Sequence, residues 1–172
     1  MHALFQANLV KQTLHDTLAG KSILEIGAGL GRTAYYASLF GICKYTIIDL
    51  PLTNVAQAYF LGRTLGPHKI SLFGEPETGP VRILPPQAFF GSTSCYDIAL
   101  NADSLTEMSR ETAEQYLSDL STRTKILFSI NHEFNPFTVQ ELCSAHRGWK
   151  VERYPYWLRK GYALETISFA NR

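Results

Sequence analysis

The stretch ILEIGAGLGR, residues 23–32, constrains the fold more than any other part of the chain. An apolar run with a single acid, Glu25, leads directly into three glycines at alternate positions, Gly27, Gly29 and Gly31. Glycines after a buried strand let the main chain pass close to a ligand, because glycine adopts backbone angles that other residues avoid. The pattern is typical of the first strand-to-helix turn of a ligand-binding α/β protein.

The spacing of these glycines argues against two common nucleotide-binding motifs, the dinucleotide-binding fingerprint and the P-loop. A dinucleotide-binding fingerprint, GxGxxG, requires glycine at position 32, where this chain has Arg32. A P-loop requires a phosphate-binding lysine, which is also absent. What remains is a nucleoside ligand in close contact with the main chain and with no pyrophosphate, or a tight turn that binds nothing.

A second acid strengthens the nucleoside interpretation. Asp49 lies 18 residues after Gly31, near the end of the β-rich run KYTIIDLP at 44–51. A carboxylate there can accept hydrogen bonds from both hydroxyls of a ribose, each worth roughly 1.5–3 kcal/mol. Glu25, the glycines and Asp49 together predict an adenosyl ligand.

The rest of the chain alternates between helix and strand patterns. Helices are predicted before Gly20, after the N-cap candidates Ser109 and Asn135, and over 33–40 and 52–65. Strands are predicted at 22–26, 44–51, 96–101 and 125–135, with two more candidates between 70 and 90, and two tail runs, 149–157 and 163–170, that suit a hairpin. This alternation predicts an α/β fold with a mostly parallel sheet, in which ligands bind beyond the carboxyl ends of the strands.

Net charge and composition restrict the kinds of binding partner expected for this chain. The net charge is +1 and no run of Lys or Arg occurs, so we expect neither nucleic acid nor membrane as a partner. No signal peptide or long apolar segment is present in the sequence, which predicts a cytoplasmic protein. Charged residues make up only 18% of the chain, against roughly 25% in typical soluble domains. We therefore expect a surface covered by a second subunit, as in a homo-oligomer, or by chain that precedes residue 1.

LEIGAGLGR followed by IIDLP resembles the first two motifs of class I S-adenosylmethionine-dependent methyltransferases. DLPLTNVAQAYFLG, NADSLTEM and INHEFN are similar to the sugar O-methyltransferase branch of that superfamily, and the resemblance runs from about Ser22 onward. It implies a Rossmann-like α/β/α sandwich whose seven-stranded, mostly parallel sheet has an antiparallel last strand. We expect a single methyltransferase domain over 1–172, with 1–21 forming a helix that leads into the core, as a piece of a longer protein.

The resemblance also implies cofactor contacts. The acid and the three glycines of the first motif would line the methionine side of S-adenosylmethionine, the following aspartate would bind the ribose, a leucine the adenine face, and an asparagine would lie beside the methionine moiety. These residues are Glu25, Gly27, Gly29, Gly31, Asp49, Leu50 and Asn101. The third motif is not placed, which leaves an adenine contact near Glu75 or Gln87 open.

The implied reaction needs an acceptor oxygen held in line with the methyl carbon and the sulfur. A sugar hydroxyl also needs a general base, or a metal that lowers its pKa. His132 is the preferred base, since it ends a predicted strand and titrates in the useful range. Glu133 would orient or replace it, and Asp103 follows the neighbouring strand. A capping histidine and a turn aspartate are the plainer interpretations. A divalent metal suits these three side chains, but their spacing does not demand one, so no metal ligand is predicted.

We therefore predict transfer of a methyl group to a hydroxyl oxygen of a sugar or sugar-containing small molecule, with S-adenosylhomocysteine as the second product. Two alternatives stay open. One is a cofactor-binding domain that is inactive alone and acts as an assembly or regulatory module. The other is a methyltransferase for a non-sugar small molecule or a nitrogen. The NPPY-like signature of amino-nitrogen methylation is absent where NADS stands at 101–104, which lowers the nitrogen alternative.

Overall fold

The computed structural model describes residues 1–14, 20–41 and 44–169. The chain divides into two compact units, Met1–Ser92 and Thr93–Arg172. Within the described residues, each unit carries four strands.

The first unit is a parallel sheet with its connecting helices. Its strands follow the order β3-β4-β2-β1, and each neighbouring pair is parallel. In the central strands β1 and β2 every residue after the first is buried, as expected of strands covered on both faces. Its elements are α1 (His2–Thr13), β1 (Ser22–Ile26), α2 (Arg32–Leu39), β2 (Lys44–Ile48), α3 (Pro51–Leu65), β3 (Ile70–Leu72), β4 (Val81–Leu84) and α4 (Pro86–Phe90).

The sequence left open which segment between 70 and 90 joins the sheet, and both do. β4 pairs with β2, and the three-residue β3 pairs with β4 at the edge. This short edge strand explains why eight strands, rather than the expected seven, occur in the described part of the chain. The first helix ends at Thr13, with Leu14 as its C-cap. The part of that predicted helix at 15–19 lies outside the described residues.

The second unit combines parallel and antiparallel pairs. Its strands follow the order β5-β6-β8-β7, with β6 parallel to β5 and β8 antiparallel to both β6 and β7. The antiparallel last strand and the tail hairpin are therefore confirmed. Its elements are β5 (Ile98–Ala102), α5 (Arg110–Arg123), β6 (Ile126–His132), α6 (Val139–Ser144), β7 (Lys150–Pro155) and β8 (Tyr162–Ser168).

Two predicted helix starts in this unit have different outcomes. Ser109 caps α5, because its side chain accepts a hydrogen bond from the Thr112 main-chain nitrogen at 3.2 Å. Asn135 does not cap α6. Thr138 does, through a capping box in which its hydroxyl accepts from the Glu141 nitrogen at 3.2 Å and the Glu141 carboxylate accepts from the Thr138 nitrogen at 3.3 Å.

The outer face of α3 is apolar and exposed. Leu52, Val55 and Tyr59 lie one turn apart along it and are 84%, 66% and 74% exposed. The low charge content of the sequence is thus visible as an apolar surface on one helix. Among the described residues, no helix combines the length and the apolar character needed to cross a membrane.

Candidate functional site

The three glycines form the turn between β1 and α2. Gly27, Gly29 and Gly31 have φ of 71°, 56° and 80°, in the left-handed region that favours glycine. The Gly27 nitrogen donates to the Ile48 carbonyl at 2.9 Å, and the Gly31 nitrogen donates to the Ala28 carbonyl at 3.0 Å. The loop is therefore tied to the end of β2 and closed on itself before α2 begins.

Space around the loop distinguishes two of its glycines. A Cβ added at Gly29 would meet nothing within 4 Å, so this position borders open space. A Cβ added at Gly31 would lie 3.0 Å from Cδ1 of Leu61, in the core of the unit. Of these two glycines, Gly29 is the one that leaves room for a ligand, whereas Gly31 is required for packing.

Asp49 is held by the loop and by the start of α3. Its Oδ2 accepts from the Gly29 nitrogen at 3.1 Å, and its Oδ1 accepts from the Leu50 nitrogen at 2.8 Å. The Asp49 nitrogen donates to the Leu84 carbonyl at 3.1 Å, which ties the residue to the end of β4. Burial raises the pKa of Asp49, and these main-chain hydrogen bonds counter part of that rise. The result is a half-buried carboxylate in a fixed orientation.

Gln57 belongs to this cluster and was not among the predicted site residues. It lies on α3 with no exposed surface. Its Nε2 donates to Asp49 Oδ2 and to the Gly29 carbonyl, both at 2.8 Å. The signal in the sequence is an uncharged polar residue four positions before the buried Leu61, on the inward face of a helix that has no charge before Arg63.

Glu25 lies beneath the loop, where it is only 2% exposed. The Tyr45 hydroxyl donates to its Oε2 at 2.8 Å. Burial raises the pKa of Glu25 to about 7, and the hydrogen bond from Tyr45 offsets part of that effect. At neutral pH this carboxyl is poised between its neutral and charged forms.

Leu50 and Asn101 have contrasting surroundings. Leu50 is 64% exposed directly after Asp49, so its side chain is open to an apolar ligand surface. Asn101 is fully buried in the second unit. Its Nδ2 donates to Ser104, and its Oδ1 accepts from Asn131 Nδ2 at 2.8 Å. The Asn101 side chain thus joins the ends of β5 and β6, and its predicted contact with a cofactor stays a prediction.

Asp103 follows β5 in an unusual conformation. Its φ is 58°, and among the described residues no other non-glycine residue has a positive φ. A left-handed backbone conformation costs energy in a non-glycine residue, and surrounding contacts must hold it in place. Asp103 pairs with Arg159, whose guanidinium lies 3.8 Å from the centroid of the Tyr162 ring. This ion pair links the end of β5 to the tail, and a role of Asp103 in the reaction stays a prediction.

His132 makes a hydrogen bond that bears on its predicted role. Its Nδ1 accepts from the Phe134 nitrogen at 3.2 Å. A neutral imidazole that accepts at one nitrogen carries its proton on the other, so Nε2 is a donor in this arrangement. The Nε2 edge faces Gly161, where an added Cβ would lie 3.2 Å away. In this arrangement Nε2 can donate to an acceptor oxygen, and the role of His132 as a general base stays a prediction.

Glu133 faces a different neighbourhood. It pairs with Arg153 of β7, and both residues line an open cleft beside α6. In the described part of the chain no three His, Cys, Asp or Glu side chains converge as a metal site. His132, Glu133 and Asp103 are therefore not brought together as metal ligands.

Several proteins of known structure share this fold. A magnesium protoporphyrin IX methyltransferase from Synechocystis PCC 6803, solved with bound S-adenosylmethionine, has a TM-score of 0.70 at 14% identity and covers 99% of this chain and 80% of its own. A Klebsiella pneumoniae protein assigned as an O-methyltransferase has a TM-score of 0.68 at 16% identity, with 99% and 80% covered. The mitomycin 7-O-methyltransferase MmcR has a TM-score of 0.64 at 17% identity, and the match covers 98% of this chain and 54% of MmcR.

These similarities confirm the Rossmann-like α/β fold class. No protein-family model matches the chain, and no curated protein is significantly similar to it in sequence.

Proposed function

We propose that this chain binds S-adenosylmethionine and transfers its methyl group to a hydroxyl oxygen of a small molecule, with a sugar as the preferred acceptor class. One observation carries the proposal: the Gly29 nitrogen holds the Asp49 carboxylate at 3.1 Å beside open space. This contact joins the glycine loop to the acid proposed to bind the ribose, although Gly29 and Asp49 are 20 residues apart in the sequence. The methyltransferases that share the fold support the same proposal.

The first unit fits the nucleoside part of the cofactor. The open space at Gly29 gives the ligand room beside the main chain. Asp49 offers a fixed acceptor for the ribose hydroxyls, and Leu50 offers an exposed apolar side chain for one face of the adenine. Glu25, under the loop, would favour the methionine ammonium group electrostatically when ionised.

The adenine edge fits the end of β4 better than the end of β3. β4 pairs with β2, and its Leu84 carbonyl accepts from the Asp49 nitrogen at 3.1 Å. β3 lies on the far side of β4. Gln87, exposed in the first turn of α4 after β4, is therefore the better candidate for an adenine contact than Glu75, which follows β3.

When bound, the cofactor supplies an electrophilic methyl carbon. The acceptor hydroxyl loses its proton as its oxygen forms the new bond to carbon and the carbon–sulfur bond breaks. His132 would donate from Nε2 and orient an acceptor oxygen. The proton would then pass to Asp103 or Glu133, each of which forms an ion pair with an arginine.

The experiment is a calorimetric titration with S-adenosylmethionine and S-adenosylhomocysteine. We expect binding by the wild-type chain and at least about 30-fold weaker binding by Asp49→Asn, because the charged acceptor for two hydroxyls is lost. Asp119→Asn on α5, whose aspartate pairs with Arg123 at 3.1 Å, is the matched control and should bind normally. A folded wild-type chain that binds neither compound refutes the proposal.

The reaction is tested next with a panel of hydroxylated acceptors and the bound methyl donor. Methylated sugar products would support a sugar as the acceptor. Methylated non-sugar products would instead favour a methyltransferase for a non-sugar small molecule. Cofactor binding without turnover on any acceptor favours the binding-module alternative.

A further inference from the structure

We propose that Gln57 is a positioning residue for ribose recognition: its amide group fastens Asp49 to the main chain of Gly29 and so sets the direction in which the carboxylate faces a ligand. The inference deepens the function proposed above and rests on it. Gln57 lies on α3 and belongs neither to the glycine motif nor to the strand end that carries Asp49.

The geometry leaves one orientation for this amide. Nε2 of Gln57 lies 2.8 Å from Asp49 Oδ2 and 2.8 Å from the Gly29 carbonyl oxygen, and both of these atoms are acceptors. Turning the amide over would place three oxygens together with no proton between them. Nε2 must therefore face the loop, and Oε1 must point away from it.

That orientation leaves a buried acceptor unsatisfied. Oε1 of Gln57 has no hydrogen-bond partner, and the same is true of the buried Oδ1 of Asn54, one turn earlier on α3. A buried acceptor without a donor destabilises the folded state. A side chain kept for stability alone would be better served by an apolar residue of the same shape, so the observation favours a role at the carboxylate.

The amide also decides how freely Asp49 moves. Without it, the carboxylate would keep only main-chain donors, which include the Gly29 nitrogen at 3.1 Å from Oδ2 and the Leu50 nitrogen at 2.8 Å from Oδ1. The Gln57 amide approaches from α3 and fixes the remaining rotation, and fixed orientation is what makes a polar contact specific for a ligand.

The test compares Gln57→Met with a matched control, Gln6→Met. Methionine has nearly the same length as glutamine but has no amide. Gln6 is another buried glutamine of the first unit, 7% exposed, whose Oε1 accepts from the Thr33 hydroxyl at 2.6 Å. We expect Gln57→Met to bind S-adenosylhomocysteine at least about tenfold more weakly while its Tm is unchanged or higher. Gln6→Met should show a lower Tm and wild-type affinity.

Gln57→Glu supplies a pH readout that a packing role would not give. The introduced carboxylate would face Asp49 and a carbonyl oxygen, so affinity should fall steeply at pH 8 and recover in part at pH 6, where one proton can be shared between the two carboxyl groups. A ligand-free readout is the NMR titration of the Asp49 carboxyl carbon. Its pKa should rise in Gln57→Met, because the amide hydrogen bond that lowers it is gone.

The outcomes separate the two proposals. Wild-type affinity in Gln57→Met, or an affinity loss matched by a fall in Tm, overturns the positioning role. A wild-type chain that fails to bind S-adenosylhomocysteine overturns the proposed function and with it the ribose contact. In that case an unchanged Asp49 titration in Gln57→Met would also remove the link between the amide and the carboxylate.

Discussion

At the scale of single residues, the glycine motif predicted a turn but not what each glycine is for. The sequence shows three equivalent glycines, whereas Gly29 borders open space and Gly31 has no room for a side chain beside Leu61. The difference depends on α3, which begins 20 residues after Gly31. Local sequence therefore reveals that the backbone needs glycine here, and only tertiary packing reveals where the ligand would lie.

A pair of alanine variants tests this difference. Both Gly29→Ala and Gly31→Ala place a Cβ on left-handed backbone, which costs about 1–2 kcal/mol. Gly31→Ala should lose about 1–3 kcal/mol more, because its Cβ would lie 3.0 Å from Leu61. Gly29→Ala should lose only the backbone contribution but bind S-adenosylhomocysteine at least about tenfold more weakly. Urea denaturation and calorimetry measure the two effects.

Gly74→Ala is the control for the backbone cost alone, since Gly74 has φ of 84° and nothing within 4 Å of an added Cβ. It should match Gly29→Ala in stability and wild-type in affinity. Equal affinities for Gly29→Ala and Gly74→Ala would contradict the assignment of the open space to the ligand.

The residues predicted for the chemistry show what sequence position cannot convey. The position of His132 at the end of a strand predicts a general base. Its tautomer depends on the Phe134 main-chain nitrogen two residues later, which donates to Nδ1 at 3.2 Å. Asp103 and Glu133 find arginine partners 56 and 20 residues away. The tail hairpin supplies both arginines, and no local sequence pattern predicts these ion pairs.

At the scale of elements, β1 has the predicted bounds, whereas α6 begins later than predicted. The bounds of β1 agree because a short run with three apolar residues among five leads directly into Gly27. α6 begins three residues after the predicted N-terminus, because Thr138 and Glu141 form a capping box while the Asn135 amide donates to Thr106 at 2.7 Å. Asn-Pro and a Thr-x-x-Glu capping box are both valid start signals, and the sequence does not rank them.

The tail strands also bury a carboxylate, Glu165, that no sequence motif marks. Glu165 of β8 lies opposite Ser129 of β6 and Arg153 of β7 in the sheet register. The Ser129 hydroxyl donates to its Oε2 at 3.1 Å, and Arg153 Nε lies 3.4 Å from its Oε1. The three side chains form a polar row across three strands of the second unit.

We predict that Arg153→Met destabilises the protein by about 3 kcal/mol at pH 8, because a buried charge loses its partner. The loss should be smaller at pH 5.5, since burial already raises the pKa of Glu165 and the isolated carboxyl can be protonated. The double variant Arg153→Met/Glu165→Gln should recover most of the stability at pH 8. Urea denaturation of the single and double variants at both pH values measures this, and equal losses at the two pH values would exclude the coupling.

At the scale of the whole molecule, burial acts in the same direction on three carboxyl groups. It raises the pKa of Glu25, Asp49 and Glu165. Each group with a raised pKa binds protons more tightly in the folded chain than in the unfolded chain. Folding therefore takes up protons between the unfolded and folded pKa values, and stability falls as the pH rises through that window.

Glu25 sets the clearest window, since its pKa moves from an ordinary 4.5 to about 7. Between pH 5.5 and pH 8 this one group should reduce the free energy of unfolding by about 2 kcal/mol. Glu25→Gln keeps an oxygen for the Tyr45 hydroxyl and removes the ionisation, so its stability should depend less on pH and exceed that of the wild type at pH 8. Glu114→Gln, on the exposed side of α5, is the matched control.

Urea denaturation at pH 5.5, 6.5, 7.5 and 8 gives the slope for each chain. Asp49 and Glu165 still contribute in Glu25→Gln, so the slope should shrink rather than vanish. A wild-type chain that is as stable at pH 8 as at pH 5.5 would mean that Glu25 is ionised in the folded state at little cost. The carboxyl under the glycine loop would then be stabilised as a charge before any ligand binds, and it would have little further ionisation to contribute to a ligand ammonium group.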